Sequence, residues 1–169
     1  IMSPEVFQGF AGRTLNLHPA LLPKDRGWYP HVHAIREGRN GGVTLHKLTA
    51  EADAGDVWAQ REVWLPFPIT ASEARSCLQI EAAALFKDVW WPIFNGTWLA
   101  SPQIGQPTYW SKSDVNHYNI LDRTEIGSVD AILRAIASRN SNGRSFLRVD
   151  GDRGSKYVHI FFSDNGELG

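Results

Sequence analysis

The sequence predicts an α/β domain followed by a small α+β extension that ends in a β-hairpin. Three observations carry this. Two strand-like runs, residues 43–48 and 57–65, directly precede the longest helical periodicity of the chain, from Ala71 to about Phe94. After Gly96 the chain changes character, to a Pro/Gly loop over 101–106 and a short amphipathic run over 128–137. It closes on two strand-like runs, 145–149 and 157–162, joined by the turn sequence 150–154. The expected division is therefore a core over residues 1–96 and an extension over 97–169.

The elements follow in order. Ser3 and Pro4 suit the cap and first turn of a short helix through Phe10. Residues 14–17 read as a buried strand. The stretch 18–23 cannot be regular, because Pro19 and Pro23 remove donors and bias the residues before them toward extended geometry. A helix over 31–37 stops at Gly38, and Arg39-Asn40-Gly41-Gly42 turns the chain into the strand pair, whose own turn is Asp53-Ala54-Gly55-Asp56. In the long helix, Ala74, Leu78, Ala82, Leu85, Val89 and Ile93 form the apolar stripe. Ser72 and Glu73 mark its start, and Pro92 is expected to kink or end its last turn. Cys77, Trp58, Trp64, Trp90 and Trp91 lie among these apolar runs and are expected to pack in the core. Trp28, Tyr29, Tyr109 and Trp110 stand in loops beside Pro or Gly and are candidates to line a ligand pocket.

Composition narrows the function classes. The 169 residues carry 17 basic and 18 acidic side chains, a formal charge of −1, and 43% of them are hydrophobic. The charge is balanced on both sides of residue 96, so no nucleic-acid footprint is expected. No apolar run approaches the roughly 18 residues of a membrane span, and no secretory signal is expected. A single cysteine fits a reducing compartment, so the expected location is cytoplasmic and no membrane partner is expected. The chain opens on Ile1-Met2-Ser3-Pro4, which reads as the end of a strand entering a helix, and we expect it to begin in the middle of a fold, lacking an N-terminal part.

Asn16 and His18 are two apart on an extended segment, so their side chains share a face. Asp53 lies in a Gly-containing turn from which a carboxylate can approach a neighbouring strand. Amide, imidazole and carboxylate form a set suited to acyl transfer: a donor for a developing oxyanion, a proton acceptor, and a group that sets the acceptor's pKa. The bland alternative is a turn cap, a histidine bonded to backbone and an ordinary turn residue. Metal chemistry is not expected. His31 and His33, two apart on a helix, diverge by about 200°, and adding His46 leaves the set without a fourth ligand.

The ordered signature Asn16-Leu17-His18-Pro19-Ala20-Leu21-Leu22-Pro23, Gly42-Val43-Thr44-Leu45-His46 and Asp53-Ala54-Gly55-Asp56, continuing to Gln60, resembles the N10-formyltetrahydrofolate-dependent formyltransferases. The resemblance spans about residues 1–96. It implies a Rossmann-like formyltransferase core and a catalytic set in which Asn16 holds the formyl oxygen, His18 is the general acid/base and Asp53 supports it. It implies N10-formyltetrahydrofolate as formyl donor and tetrahydrofolate as product, with the pterin against Ile1 and Met2 and along Leu48, Thr49, Ala50, Glu51 and Ala52. It also implies a cis peptide bond at Leu22-Pro23.

For the acceptor, Arg26-Gly27-Trp28-Tyr29-Pro30 and the run from Thr108 to Asp114 resemble the nucleotide-sugar N-formyltransferases, closest to the branch that formylates dTDP-4-amino-4,6-dideoxyglucose. The resemblance implies a nucleotide-linked 4-amino-4,6-dideoxy sugar as acceptor and a role in cell-surface polysaccharide biosynthesis. Trp28 and Tyr29 are then candidates for the sugar, Lys24, Tyr109 and Lys112 for the diphosphate or base, and Glu81 for a further acceptor contact. Two readings stand beside it: formylation of glycinamide ribonucleotide, and a non-catalytic binding or assembly module. The closing hairpin is a candidate for association as a homodimer.

Overall fold

The structure, a computed structural model, describes residues 14–121, 127–142, 144–151 and 154–159. In chain order it forms β1 (Leu15–His18), β2 (Arg26–Gly27), α1 (Pro30–Glu37), β3 (Gly41–Lys47), β4 (Val57–Val63), α2 (Ala71–Phe94), β5 (Tyr109–Trp110), α3 (Lys112–His117) and α4 (Val129–Ser138). Four short strands follow, β6 (Asn140–Ser141), β7 (Arg144–Ser145), β8 (Arg148–Gly151) and β9 (Gly154–Tyr157). The helix expected over 4–10 lies outside the described residues.

β3 is the centre of the arrangement. Every one of its residues from Gly41 to His46 is buried, as a strand between two neighbours and under a helix must be. It pairs antiparallel with β1 on one side and β4 on the other, in the order β1-β3-β4. The register sets Asn16 opposite His46 and His18 opposite Thr44, and Thr44 in turn opposite Gln60. The β3–β4 register shifts between Leu45 and His46, where β4 carries one extra residue, Trp58.

The α2 helix covers this sheet with the expected stripe: Ala74, Leu78, Leu85 and Val89 are buried, against Val43, Leu45, Val63 and Leu65. Its N-cap is Thr70 rather than Ser72. Thr70 Oγ1 accepts from the Glu73 amide at 3.4 Å and Glu73 Oε2 accepts from the Thr70 amide at 2.7 Å, a reciprocal pair worth about 1 kcal/mol. Pro92 does not end the helix, which runs on to Phe94; its missing N–H takes the helical donor from the Asp88 carbonyl, and Asn95 caps the end. The core is shared across position 96: Val115 of α3 and Ala137 of α4 join Val32, Ala34 and Ile35 of α1 in it.

Several expected core residues are outside it. Cys77 is exposed, Trp64 is 74% exposed and Trp91 62%, while Trp90 is at the margin and Trp58 is half-buried under the Lys47 ammonium. Cys77 precedes the buried Leu78 by one residue, and Trp90 and Trp91 follow Val89 by one and two, so about 100° per residue turns each off the stripe. Trp64 lies between buried Val63 and Leu65 at the end of β4, where alternation points it outward.

The closing hairpin is displaced from the expected register. Arg148 pairs with Tyr157 and Gly151 with Gly154, so the second strand starts at Gly154, whose φ of 93° lets the chain reverse there, rather than at Tyr157. Residues 160–162 of the expected strand lie outside the described residues. Among the described residues no helix is long and apolar enough to cross a membrane.

Candidate active site

The Asn16–Pro23 segment is held by two residues of the central strands. Thr44 Oγ1 donates to the Ala20 carbonyl at 2.6 Å and accepts from the Leu22 amide at 3.2 Å. Gln60 Nε2 donates to the Leu22 carbonyl at 2.7 Å and to Thr44 Oγ1 at 3.0 Å. A proline-interrupted segment has no regular ladder, and these side chains supply its backbone partners instead. The Leu22-Pro23 bond is cis, as expected.

Asn16, His18 and Asp53 converge. Asp53 Oδ2 lies 3.5 Å from His18 Nδ1 and accepts from the Gly27 amide at 2.9 Å, and Asp53 Oδ1 accepts from Asn16 Nδ2 at 3.2 Å. Asp53 takes a left-handed backbone conformation, φ 52°, which carboxylate residues tolerate better than most and which turns the side chain inward from the loop. His46, fully buried, completes the cluster. Its Nδ1 meets the Lys47 carbonyl at 2.8 Å and must carry the proton there, so its Nε2 is left to accept from Asn16 Nδ2 at 3.1 Å. The Asn16 amide group is thereby oriented by two acceptors.

The tautomer of His18 follows from the same reasoning. Its Nε2 is 2.8 Å from the Asp25 carbonyl, which only accepts, so Nε2 carries the hydrogen and Nδ1, beside Asp53, holds the free electron pair. Burial lowers the pKa of His18, opposed by the Asp53 charge and the bond to Asp25, with the net shift downward from 6.5. Burial pushes Asp53 the other way. The His46 contact, the His18 charge and the Gly27 N–H overcome it and leave its pKa below the ordinary carboxylate value. At neutral pH the pair is a neutral imidazole next to a carboxylate, ready to receive a proton at Nδ1.

His18 opens onto a cavity of about 580 Å³ that Trp28, Tyr29, His31 and Arg75 also line. Trp28 and Tyr29, expected from the sequence to line a ligand pocket, line the same cavity as His18. Lys112 reaches over the Trp28 ring, 5.6 Å from its centre. Lys24 does not line this cavity; it lines a neighbouring cleft of about 290 Å³ with Asp25, Arg39 and Glu62. Glu81 is engaged by Arg61 at 3.2 Å on the surface, and Tyr109 is exposed on β5; neither lines the cavity of His18. The loop from Leu48 to Ala52 runs along the outside of Asp53, exposed from Thr49 onward, with Glu51 bonded to Arg26 at 3.0 Å. Ile1 and Met2 lie outside the described residues.

Sequence reasoning missed the part the extension plays in building the site. β2 pairs parallel with β5, Arg26 opposite Tyr109 and Gly27 opposite Trp110. Gly27 has φ 90°, and a Cβ there would lie 2.3 Å from the Trp110 carbonyl, so both conformation and space require glycine. Gln103 Nε2 donates to the carbonyls of Asp53 and Gly55, both at 2.8 Å. Asp25, whose carbonyl fixes His18, is held by Thr108, Trp110 and Arg39. The R-G-aromatic segment and the run from Thr108 to Asp114, both singled out in the sequence, are the two pieces that pair here.

Comparison with known proteins gives a consistent picture. Residues 1–85 match the formyl transferase family model. A dTDP-4-amino-4,6-dideoxyglucose formyltransferase of Mycobacterium tuberculosis (strain ATCC 25618 / H37Rv) is 26% identical over 149 residues, covering 88% of this chain and 64% of the relative. The chain therefore spans less than two thirds of that relative. The structure of a 4-N formyltransferase from Francisella tularensis superimposes with a TM-score of 0.81 at 22% identity, over 89% of this chain and 62% of that one, and shares the fold. A formyltransferase from Anoxybacillus kamchatkensis, solved with UDP-4,6-dideoxy-4-formamido-L-AltNAc and tetrahydrofolate, matches with a TM-score of 0.67 at 25% identity, over 82% and 71% of the two chains. The α/β class expected from the sequence is the class of these structures.

Proposed function

Because this chain belongs to the formyl transferase family, we propose that it carries the site that moves the formyl group of N10-formyltetrahydrofolate to the 4-amino group of a nucleotide-linked 4-amino-4,6-dideoxy sugar. One observation carries the chemistry: Asn16, His18 and Asp53 converge, with the only unprotonated imidazole nitrogen of His18 turned to the carboxylate. The choice of acceptor is supported by the relatives named for such sugars and by Trp28 and Tyr29 lining the cavity onto which His18 opens.

The steps follow from the geometry. The neutral amine of the acceptor attacks the formyl carbon, a C–N bond forms, and the carbonyl electron pair moves onto oxygen. Asn16 Nδ2 turns one hydrogen from Asp53 or His46 toward that oxyanion, a donor of the kind worth about 3 kcal/mol in acyl-transfer sites. The ammonium formed on the attacking nitrogen gives its proton to His18 Nδ1, and Asp53 stabilises the resulting imidazolium. The bond from the formyl carbon to N10 of the folate then breaks, and the proton is returned to N10, leaving tetrahydrofolate and the formamido sugar. The pterin is assigned to the loop from Leu48 to Ala52, a reading supported by its exposure from Thr49 onward and its few bulky side chains, which leave backbone groups accessible to a flat polar ring.

The test is a side-by-side assay of the whole protein with dTDP-4-amino-4,6-dideoxyglucose and glycinamide ribonucleotide, each with N10-formyltetrahydrofolate. Formylation of the sugar, lost in His18→Ala, supports the reading. Transfer to glycinamide ribonucleotide alone replaces the acceptor, and transfer to neither, from a folded protein that binds folate, leaves a non-catalytic module.

A further inference from the structure

We propose that Arg75, Lys112 and Arg139 form an anion subsite that takes the diphosphate of the acceptor. This rests on the reading above that the acceptor is nucleotide-linked, and it deepens that reading by assigning the end of the substrate remote from the reacting amine.

The three cations line one cavity of about 330 Å³, and among the described residues no carboxylate lines it with them. They come from α2, the start of α3 and the end of α4, so three elements direct positive charge into one space. Among the described residues none of the three makes an ion pair. Other cations nearby are neutralised: Arg39 by Asp25 and Glu37, Arg26 by Glu51, and Arg134 by Asp130. Arg139 carries the most weight, since its guanidinium is half-buried and bonded to the Asn119 amide oxygen at 2.9 Å, with the Phe146 ring 5.4 Å away. An amide oxygen brings no charge, so a partly desolvated cation is left without compensation, which an anionic ligand would provide. The field is felt by neighbours. Burial first, then Arg75, His33 and Arg139, push the pKa of His31 on the cavity wall down to about 4. The N-terminus of α1, where Tyr29 offers no side-chain cap and the first turn has no acidic residue, adds to the same potential.

The position suits the remote end of a long acceptor. Tyr29, His31 and Arg75 line both this cavity and the larger one that holds His18. The two cavities therefore adjoin along these three residues, with His18 lining one and Arg139 the other. A sugar amine at His18 would have its sugar beside Trp28 and Tyr29 and its diphosphate among the three cations. Of the three residues that the sequence suggests for the diphosphate or base, Lys112 belongs to this subsite, Lys24 lines a neighbouring cleft with Asp25 and Glu62, and Tyr109 lines neither cavity.

The experiment is calorimetric binding of dTDP, inorganic pyrophosphate and thymidine to the whole protein and to Arg75→Gln, Lys112→Gln and Arg139→Gln, together with the KM for the aminosugar nucleotide. Losing one charge-assisted contact should weaken dTDP by about tenfold or more. It should also make its affinity less dependent on salt. Thymidine binding should be unaffected, and the loss in turnover should appear in KM rather than kcat. Lys112 is exposed, so Lys112→Gln tests the subsite even where an arginine variant unfolds. Failure of the wild-type protein to bind dTDP or pyrophosphate, or unchanged dTDP affinity in folded variants, overturns the subsite. If dTDP binds through these residues and no formyl group is transferred, the subsite stands and the reaction assigned above fails.

Discussion

Trp110 donates its indole N–H to Asp25 Oδ1 at 3.0 Å, and Asp25 offers its backbone carbonyl to His18 Nε2 at 2.8 Å. A residue of the extension thus stands two bonds from the proposed proton acceptor. Asp25 sits in the left-handed region at φ 58°, and its amide is bonded to Thr108 Oγ1 at 2.7 Å, so the carbonyl is aimed by contacts from 108–110 as well as by Arg39. Trp110→Phe keeps a ring to stack on His33, now 4.0 Å away, and removes the donor. A hydrogen bond to a charged group is worth about 1.5–3 kcal/mol, part of which Arg39 retains. We expect kcat to fall by about three- to tenfold with the fold intact, and the nitrogen chemical shifts of His18 to show loss of the pure Nε2–H tautomer. Unchanged shifts and unchanged kcat would remove the extension from the site.

The acid limb of kcat/KM should lie below pH 6.5. His18 acts as a base only when neutral, and burial lowers its pKa more than Asp53 and Asp25 raise it. Asp53→Asn removes the largest of the raising causes, so the limb should move further toward acid while the rate drops by about 10² or more through loss of imidazolium stabilisation. A limb that moved toward alkali in Asp53→Asn would contradict the arrangement.

Gly55 gives a test of how tightly the Asp53 loop is held. A Cβ there would lie 1.9 Å from the Lys47 carbonyl, a backbone atom that cannot yield without shifting the loop. Gly55→Ala should cost about 1–3 kcal/mol by displacing the turn, and activity should fall far more than stability because Asp53 moves with it. Urea unfolding and steady-state rates measured together check this; equal losses would mean the loop is adaptable.

Much of the site was legible because its signature is a set of contacts. Thr44 and Gln60 of the motif are the residues that bind the backbone of Ala20 and Leu22, while the antiparallel pairing of β1 with β3, which no sequence pattern announced, brings His46 opposite Asn16. The long helix was legible from its stripe, and Cys77, Trp90 and Trp91 were misplaced only because hydrophobicity was weighed ahead of angular position on that stripe. What was hidden is what depends on long-range pairing of short pieces. Two-residue β2 and β5 have no periodicity to read, the bond from Trp110 to Asp25 spans 85 positions, and α3 is a single capped turn and a half that begins at Ser111 and Asp114. Of the cation cluster only Lys112 was legible, since Arg75 and Arg139 come to the same cavity only once three helices are in place.

His31 should make stability depend on pH. Its folded pKa of about 4 lies below the ordinary 6.5, so between those values the unfolded chain binds a proton that the folded chain does not. The contribution is therefore present in full above pH 6.5 and is lost as the pH falls toward 4, amounting to about 3 kcal/mol across the window. His18 and His33 are also lowered, and they add slope in the same direction. The contribution of His31 is isolated by comparing wild type with His31→Asn, which keeps a polar side chain and does not titrate. Urea unfolding at pH 7.5, 6.0 and 5.0 should show the variant less stable than wild type at the highest pH and progressively closer to it, or more stable, as the pH falls. A difference that stays constant across the three values would mean that His31 is already solvated in the folded protein and that neither burial nor the neighbouring arginines govern its charge.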